Sequence, residues 1–216
     1  MTCSGLCREG YFCPAGSTTD TQHPCGDSSL YCPVGSARPV SVSSGYHSVG
    51  GGGPSTRAAQ EICSEGYFCS KKFGVKFPCP PGTYGSRSGL EGEVGVTHCS
   101  GLCEPGHFCP YNSTSSRQVP CPPGTYGRDY GLKDEACTAP CPVGHYCPEG
   151  AVEPVKCPPG VFGGYEGLKD ASCVLDCEGG LCSDSAISAG LCAEGFYCPE
   201  GAVTPVASEC GGSGAF

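Results

Sequence analysis

The 216-residue chain has no tryptophan, a single methionine at residue 1 and a single asparagine, Asn112. Leu, Ile, Val and Phe together number 34, too few for the aliphatic core that one domain of this length normally buries. Basic residues are equally short: 12 Lys and Arg stand scattered against 21 Asp and Glu, for a net charge of −9. That balance excludes a nucleic-acid partner, whose phosphates call for clustered cations. No apolar run is long enough to span a membrane, so no membrane segment is expected in this window, and since Met1-Thr2 leads straight into Cys3 a signal peptide is expected upstream of it. HExxH, a P-loop and G-x-S-x-G are all missing, so neither enzyme chemistry nor a cofactor is expected. Helix is nearly excluded, because no ten-residue window shows 3.6-residue apolar periodicity free of Gly or Pro.

What the chain does have is 22 cysteines, with 36 Gly and 21 Pro. Cysteine at this density marks a disulfide scaffold. Such a scaffold persists where thiols are oxidised, which implies an extracellular or cell-surface location. Covalent cross-links then take over the work of the missing core, at roughly 2–4 kcal/mol each.

Internal repeats are plain. Residues 3–25 match 99–121 at 14 of 23 positions, and 121–137 match 157–173 at 10 of 17. The unit reads C-x3-C-x5-C-x9/11-C-x15. It divides the chain into cysteine-rich modules at 1–25, 63–98, 99–136, 137–172 and 173–216, with a divergent, cysteine-poor module or spacer at 26–62. The first and last modules read as cut mid-unit, so a window on a longer repeat array is expected. The expected fold class is therefore small and disulfide-rich: tandem cysteine-rich modules with short β-hairpins and turns, little or no helix, forming an elongated rod in which each module contacts its neighbours.

Cys-Pro-x-Gly at 79–82, 121–124, 141–144 and 157–160 reads as a turn, with Pro fixing φ and Gly permitting positive φ. A Gly-aromatic-Phe/Tyr-Cys motif carries Tyr11-Phe12, Tyr67-Phe68 and Phe196-Tyr197, with His107-Phe108 and His145-Tyr146 as variants. These rings are expected to cover the disulfides, and Leu90, Leu132 and Leu168 to plug the x15 loops. Ser44-Gly45-Tyr46 resembles the Pro-Gly-Thr-Tyr turn, so 36–60 reads either as a module that has lost a disulfide or as a flexible spacer.

Two phases of cysteine pairing are open. If each x15 loop closes on itself, the pairs are Cys79–Cys99, Cys121–Cys137 and Cys157–Cys173. The remainder are then Cys7–Cys13, Cys25–Cys32, Cys63–Cys69, Cys103–Cys109, Cys141–Cys147, Cys177–Cys182 and Cys192–Cys198, leaving Cys3 and Cys210. If the x9/x11 segment is the closed hairpin, Cys109 pairs with Cys121 and Cys147 with Cys157, and Cys3 pairs with Cys7. The two-residue variation of that segment preserves strand alternation.

The CPPGTYG…GL…C loops resemble ephrin-receptor-like and TNF-receptor-like cysteine-rich modules. The denser texture of GYFCPAGS…PCGDSSLYCPVGS and GHYCPEGAVEPVKCPPG is similar to the repeat arrays of protist and algal surface proteins, including flagellar-hair (mastigoneme) proteins. The resemblance covers nearly the whole chain and implies either ligand binding, as in receptors, or a role as spacer or filament subunit.

Individual residues favour scaffold roles. C-x3-C spacings suit disulfides better than zinc knuckles, so no metal is expected. His107 and His145 occupy positions held by aromatic rings in other copies. Asp134 and Asp170, in the recurring Gly-Leu-Lys-Asp, read as turn formers rather than calcium ligands. Asn112 heads Asn112-Ser113-Thr114, an N-glycosylation acceptor, and the Ser/Thr/Pro-rich stretches 17–24 and 113–120 are candidates for O-linked glycans. The expected function is that of a non-enzymatic structural protein, self-associating or joining other extracellular structural proteins in a filament, hair or coat. The alternatives are a receptor or adhesion ectodomain for a protein or glycan ligand, and metal sequestration.

Overall fold

A computed structural model describes residues 5–93, 99–174 and 190–209. Within them every strand belongs to a two-stranded antiparallel hairpin. In chain order these are β1 (Tyr11–Phe12) with β2 (His23–Pro24), β3 (Leu30–Tyr31) with β4 (Val40–Ser41), β5 (Tyr46–Val49) with β6 (Ala59–Ile62), β7 (Tyr67–Ser70) with β8 (Val75–Pro78), and β9 (Thr83–Tyr84) with β10 (Gly101–Leu102). They continue with β11 (His107–Phe108) and β12 (Val119–Pro120), β13 (Thr125–Tyr126) and β14 (Ala139–Pro140), β15 (His145–Tyr146) and β16 (Val155–Lys156), and β17 (Phe196–Tyr197) and β18 (Ser208–Glu209). A single antiparallel bridge, Val161 to Leu191, marks one further pair. The only helical segment among the described residues is one 3₁₀ turn, Pro54–Thr56.

Most strands hold two residues because the sequence stops them. A proline ends β2, β8, β12 and β14 and cannot donate to a longer ladder. A cysteine follows, and then the chain reverses. In Pro80-Pro81-Gly82-Thr83 the Thr83 N–H donates to the Pro80 carbonyl at 3.1 Å with Gly82 at φ 86°. This is a type II turn with proline at its second position. The Gly-aromatic segments make the same closure: Tyr67 N–H to Ser64, His107 N–H to Glu104 and Phe196 N–H to Ala193, at 3.0–3.2 Å. The two motifs that look distinct in sequence are therefore one turn, Cys-x-x-Gly, which opens seven of the nine hairpins, and the structural repeat is half the length of the four-cysteine unit; in β3–β4 the turn is Asp27-Ser28-Ser29-Leu30 instead, closed by the Leu30 N–H on the Asp27 carbonyl.

Nine disulfides join all 18 described cysteines. Six straddle the turn and the first strand of a hairpin: Cys7–Cys13, Cys25–Cys32, Cys63–Cys69, Cys103–Cys109, Cys141–Cys147 and Cys192–Cys198. Three tie the turn to the loop that follows the first strand: Cys79–Cys99, Cys121–Cys137 and Cys157–Cys173. The alternative phase is not taken, since Cys109 and Cys147 are joined to Cys103 and Cys141. Cys3, Cys210 and the expected Cys177–Cys182 pair lie outside the described residues.

The chain forms two compact units, one running to Leu102 with Pro110–Ser116, the other made of Cys103–Cys109 and the chain from Arg117. In both, sulfur is the core. Cys32, Cys63, Cys79, Cys103, Cys121 and Cys141 are fully buried, and Leu90 and Leu168 fill beside them, whereas Leu132 is only half-buried. The aromatic rings do less than the sequence suggested. Phe68 and Phe162 are buried, while Tyr126 and Tyr146 lean on the Cys141–Cys147 and Cys157–Cys173 clusters and stay partly exposed. Tyr197 is 52% exposed. A two-residue strand in an isolated hairpin has one covered face at most, and both rings of Tyr11-Phe12, His107-Phe108 and His145-Tyr146 stay half-buried.

Consecutive hairpins within a unit are laced by backbone hydrogen bonds. In the first unit Gly66 N–H donates to Gly85 and Gly85 N–H to Ser113; in the second Gly144 N–H donates to Gly163 and Gly163 N–H to Ala202, all at 2.7–2.9 Å. The stretch 36–60 is a hairpin like the rest and not a spacer. Val42-Ser43-Ser44-Gly45-Tyr46 keeps the turn register, and Val42, only 1% exposed, occupies the cysteine position. Four-residue strands replace the missing covalent tie. Ser48 adds to them: its N–H donates to the Gly74 carbonyl at 2.8 Å and its hydroxyl to the Ser28 carbonyl at 2.6 Å, joining three hairpins of the first unit.

Candidate functional site

Among the described residues one constellation brings three ligand-type atoms together. The His47 ring and the sulfurs of Cys63 and Cys69 lie within 4.8 Å of one another. A metal takes a thiolate, and these two sulfurs are bonded to each other at 2.02 Å, leaving His47 as the only free donor. Its Nδ1 is buried without a hydrogen-bond partner among the described residues. Burial, reinforced by the Lys76 and Arg57 charges, holds the imidazole below its ordinary pKa despite the opposing Glu61. The site as folded is a histidine packed on a disulfide.

Asn112 is exposed at φ 64°. Its N–H donates to the Cys79 carbonyl at 3.2 Å. In the other hairpins the equivalent donor is a glycine of positive φ, for example Gly89 to Cys63 and Gly150 to Cys121. Asparagine is the side chain that best tolerates this left-handed conformation, which gives the chain's one asparagine a backbone role besides its place in a sequon. Ser113 is buried, its hydroxyl bonded to the Pro110 carbonyl at 2.7 Å, and Thr114 is exposed. Asp134 and Asp170 sit in matching turns. Each carboxylate accepts the N–H two residues on, from Ala136 at 3.1 Å and Ser172 at 2.9 Å. Each Asp carbonyl also accepts from the cysteine that follows, Cys137 or Cys173, and the Ser172 hydroxyl and N–H lower the Asp170 pKa. His107 and His145 turn their Nδ1 toward the Pro105 and Val143 carbonyls at 3.4 and 3.0 Å.

One cleft that the sequence reading did not single out lies beside the β7–β8 hairpin. Cys69 in β7 forms a parallel bridge with Glu91: Cys69 N–H donates to Leu90 and Gly92 N–H donates back to Cys69, at 2.8 and 3.0 Å. This lays 91–93 alongside the β7–β8 hairpin and leaves between them an open cleft of about 430 Å³. The walls include Ser44, Ser70, Lys71, Lys72, Glu91 and Glu93. The four charged side chains are exposed, and no ion pair joins them. Ser70 is 1% exposed and its hydroxyl has no partner among the described residues. A larger depression, about 750 Å³, lies between Gly5 and Ser36, with Asp20 its only charged wall residue. The sequence signal for the first cleft was Lys71-Lys72 within a chain poor in cations; what hid it was the pairing with Glu91, which no local pattern announces.

Among the described residues no helix is long and apolar enough to cross a membrane. The disulfide content is that of a protein of an oxidising, extracellular setting. No family model and no curated protein matches the chain.

Proposed function

We propose that this chain is a non-enzymatic structural protein of the cell exterior, whose disulfide-stapled repeats build part of a filament, hair or coat by self-association or with other extracellular structural proteins. The observation that carries the reading is the commitment of all 18 described cysteines to disulfides around one recurrent turn. No described thiol is left as a nucleophile or metal ligand. Asp134 and Asp170 serve turns, and His47 packs on a disulfide. Contact surface is supplied by side chains the hairpins turn outward, such as Tyr111, Tyr130 and Leu191, at 60–66% exposure.

Negative-stain electron microscopy of the unreduced native material tests the reading. Regular fibres with a constant axial repeat are expected. Dispersed single particles at all concentrations would overturn it in favour of a receptor or adhesion ectodomain.

A further inference from the structure

We infer that Asn112 is glycosylated, and that the fold holds its oligosaccharide on an outward corner between β11 and β12. Asn112-Ser113-Thr114 is an acceptor pattern for N-glycans, and the structure adds three observations to the pattern. First, the backbone does not ask for asparagine. Gly35, Gly89, Gly131, Gly150, Gly167 and Gly201 hold the same corner in other hairpins at φ 72–79°, each N–H donating to the carbonyl of the cysteine that opens the preceding hairpin. Asn112 makes the same bond to Cys79 from φ 64°. Glycine reaches a left-handed φ without steric cost and asparagine does not, so the bond alone favours glycine.

Second, the side-chain amide has no duty in the fold. Asn112 is exposed, and its side chain makes no hydrogen bond among the described residues. Third, the two hydroxyls of the pattern are divided between fold and chemistry. Ser113 is buried, and its hydroxyl donates to the Pro110 carbonyl and closes the corner. Thr114, whose hydroxyl the acceptor pattern requires, is exposed.

The reaction uses the idle amide. Its nitrogen bonds to the anomeric carbon of an oligosaccharide carried on a lipid pyrophosphate. The carbon–oxygen bond to the pyrophosphate breaks, the pyrophosphate leaves with the electron pair, and the amide gives up one proton. The setting is the oxidising lumen in which disulfides form, so the inference rests on the extracellular part of the proposed function and not on filament assembly.

The corner has a twin that lacks the amide. Residues 3–25 repeat 99–121, and Gly16-Ser17-Thr18 stands there in place of Asn112-Ser113-Thr114. The Ser17 hydroxyl donates to the Pro14 carbonyl at 2.7 Å, as Ser113 does to Pro110. Gly16 is exposed at φ 91°, and a Cβ added to it meets nothing within 4 Å.

Peptide mass spectrometry of the native material tests the site. After reduction and trypsin, peptide 88–117 should carry a saccharide mass. An amidase that cleaves N-glycans should remove it and convert the asparagine to aspartate, with one heavy oxygen taken up from labelled water. In the chain secreted from a eukaryotic host, Asn112→Gln and Thr114→Val should abolish the modification. Thr114→Ser should keep it, and Ser113→Ala should keep it while lowering the denaturation midpoint. Gly16→Asn should add a second glycan at the twin corner. Peptide 88–117 found only unmodified, in chains whose cysteines are all oxidised, overturns the inference and leaves the extracellular reading standing; free thiols in the native chain would count against that reading itself. A Gly16→Asn chain left bare at residue 16 while Asn112 is modified would overturn the role given to the corner.

Discussion

Gln60 reaches across its hairpin to Ser43. Its side-chain carbonyl accepts the Ser43 N–H at 2.7 Å and its amide donates to the Ser43 hydroxyl at 3.1 Å. In the turn register Val42 stands where Cys79, Cys121 and Cys157 stand in other hairpins, but Ala59, the position matching Cys99 and Cys137, is held in the ladder opposite Val49. The Ser43–Gln60 pair is thus a polar tie at the hairpin turn whose leading position is valine. Gln60→Ala should remove both hydrogen bonds and cost about 1–2 kcal/mol. A lowered denaturation midpoint of the unreduced protein is the expected result.

The Ser48–Gly74 tie gives a second expectation. A Cβ on Gly74 would overlap the Ser28 carbonyl, and the residue already sits at positive φ. Gly74→Ala should therefore be far more damaging than Gly53→Ala, where a Cβ meets nothing. Ser48→Ala removes a buried hydroxyl and leaves the Ser28 carbonyl without it, at a cost of about 1–3 kcal/mol. Chemical denaturation of the unreduced protein measures both.

At Asn112 the backbone and sequon roles separate by substitution. Asn112→Gly should keep stability within about 1 kcal/mol, because glycine occupies the position elsewhere, whereas Asn112→Val should cost about 1–2 kcal/mol for a left-handed β-branched residue. If the sequon is used in the native source, glycosidase treatment shifts the mass of a peptide containing Asn112.

His47 sets a pH dependence. Its folded pKa lies below the unfolded value of 6.5, so the unfolded chain binds more protons in the window below that value. The contribution is fully present above pH 6.5 and is lost as pH falls through the folded pKa. The midpoint should drop on acidification from pH 7.5 to 5.5, and His47→Gln should flatten that drop. Asp27 and Asp170, whose pKa values are also lowered by hydrogen bonds from Ser29 and Ser172, act with the same sign below their unfolded value of 3.8, outside this window.

Cysteine spacing, Gly-Pro turns and missing helix periodicity made the hairpin framework legible in sequence, because covalent and turn constraints are local. The identity of the two turn motifs was less visible, since proline fills one version and glutamate or serine the other. Ring burial was overestimated at Tyr197, where strand length rather than residue type decides which face is covered. Val42 as a buried substitute for cysteine, the Ser48 tie and the cleft at Lys71–Glu93 all depend on contacts between separate hairpins, which no single window of sequence contains.

Disulfide mapping is the most direct test of the fold's covalent logic. Trypsin cuts the unreduced chain after Lys76, Arg87, Arg117, Arg128 and Lys133, so Cys121 leaves on peptide 118–128. Pairing within the loop joins that peptide to 134–156 through Cys121–Cys137, and joins 77–87 to 88–117 through Cys79–Cys99. Recovery of 118–128 linked instead to 88–117 would place Cys121 on Cys109 and contradict the turn-stapled hairpins described above.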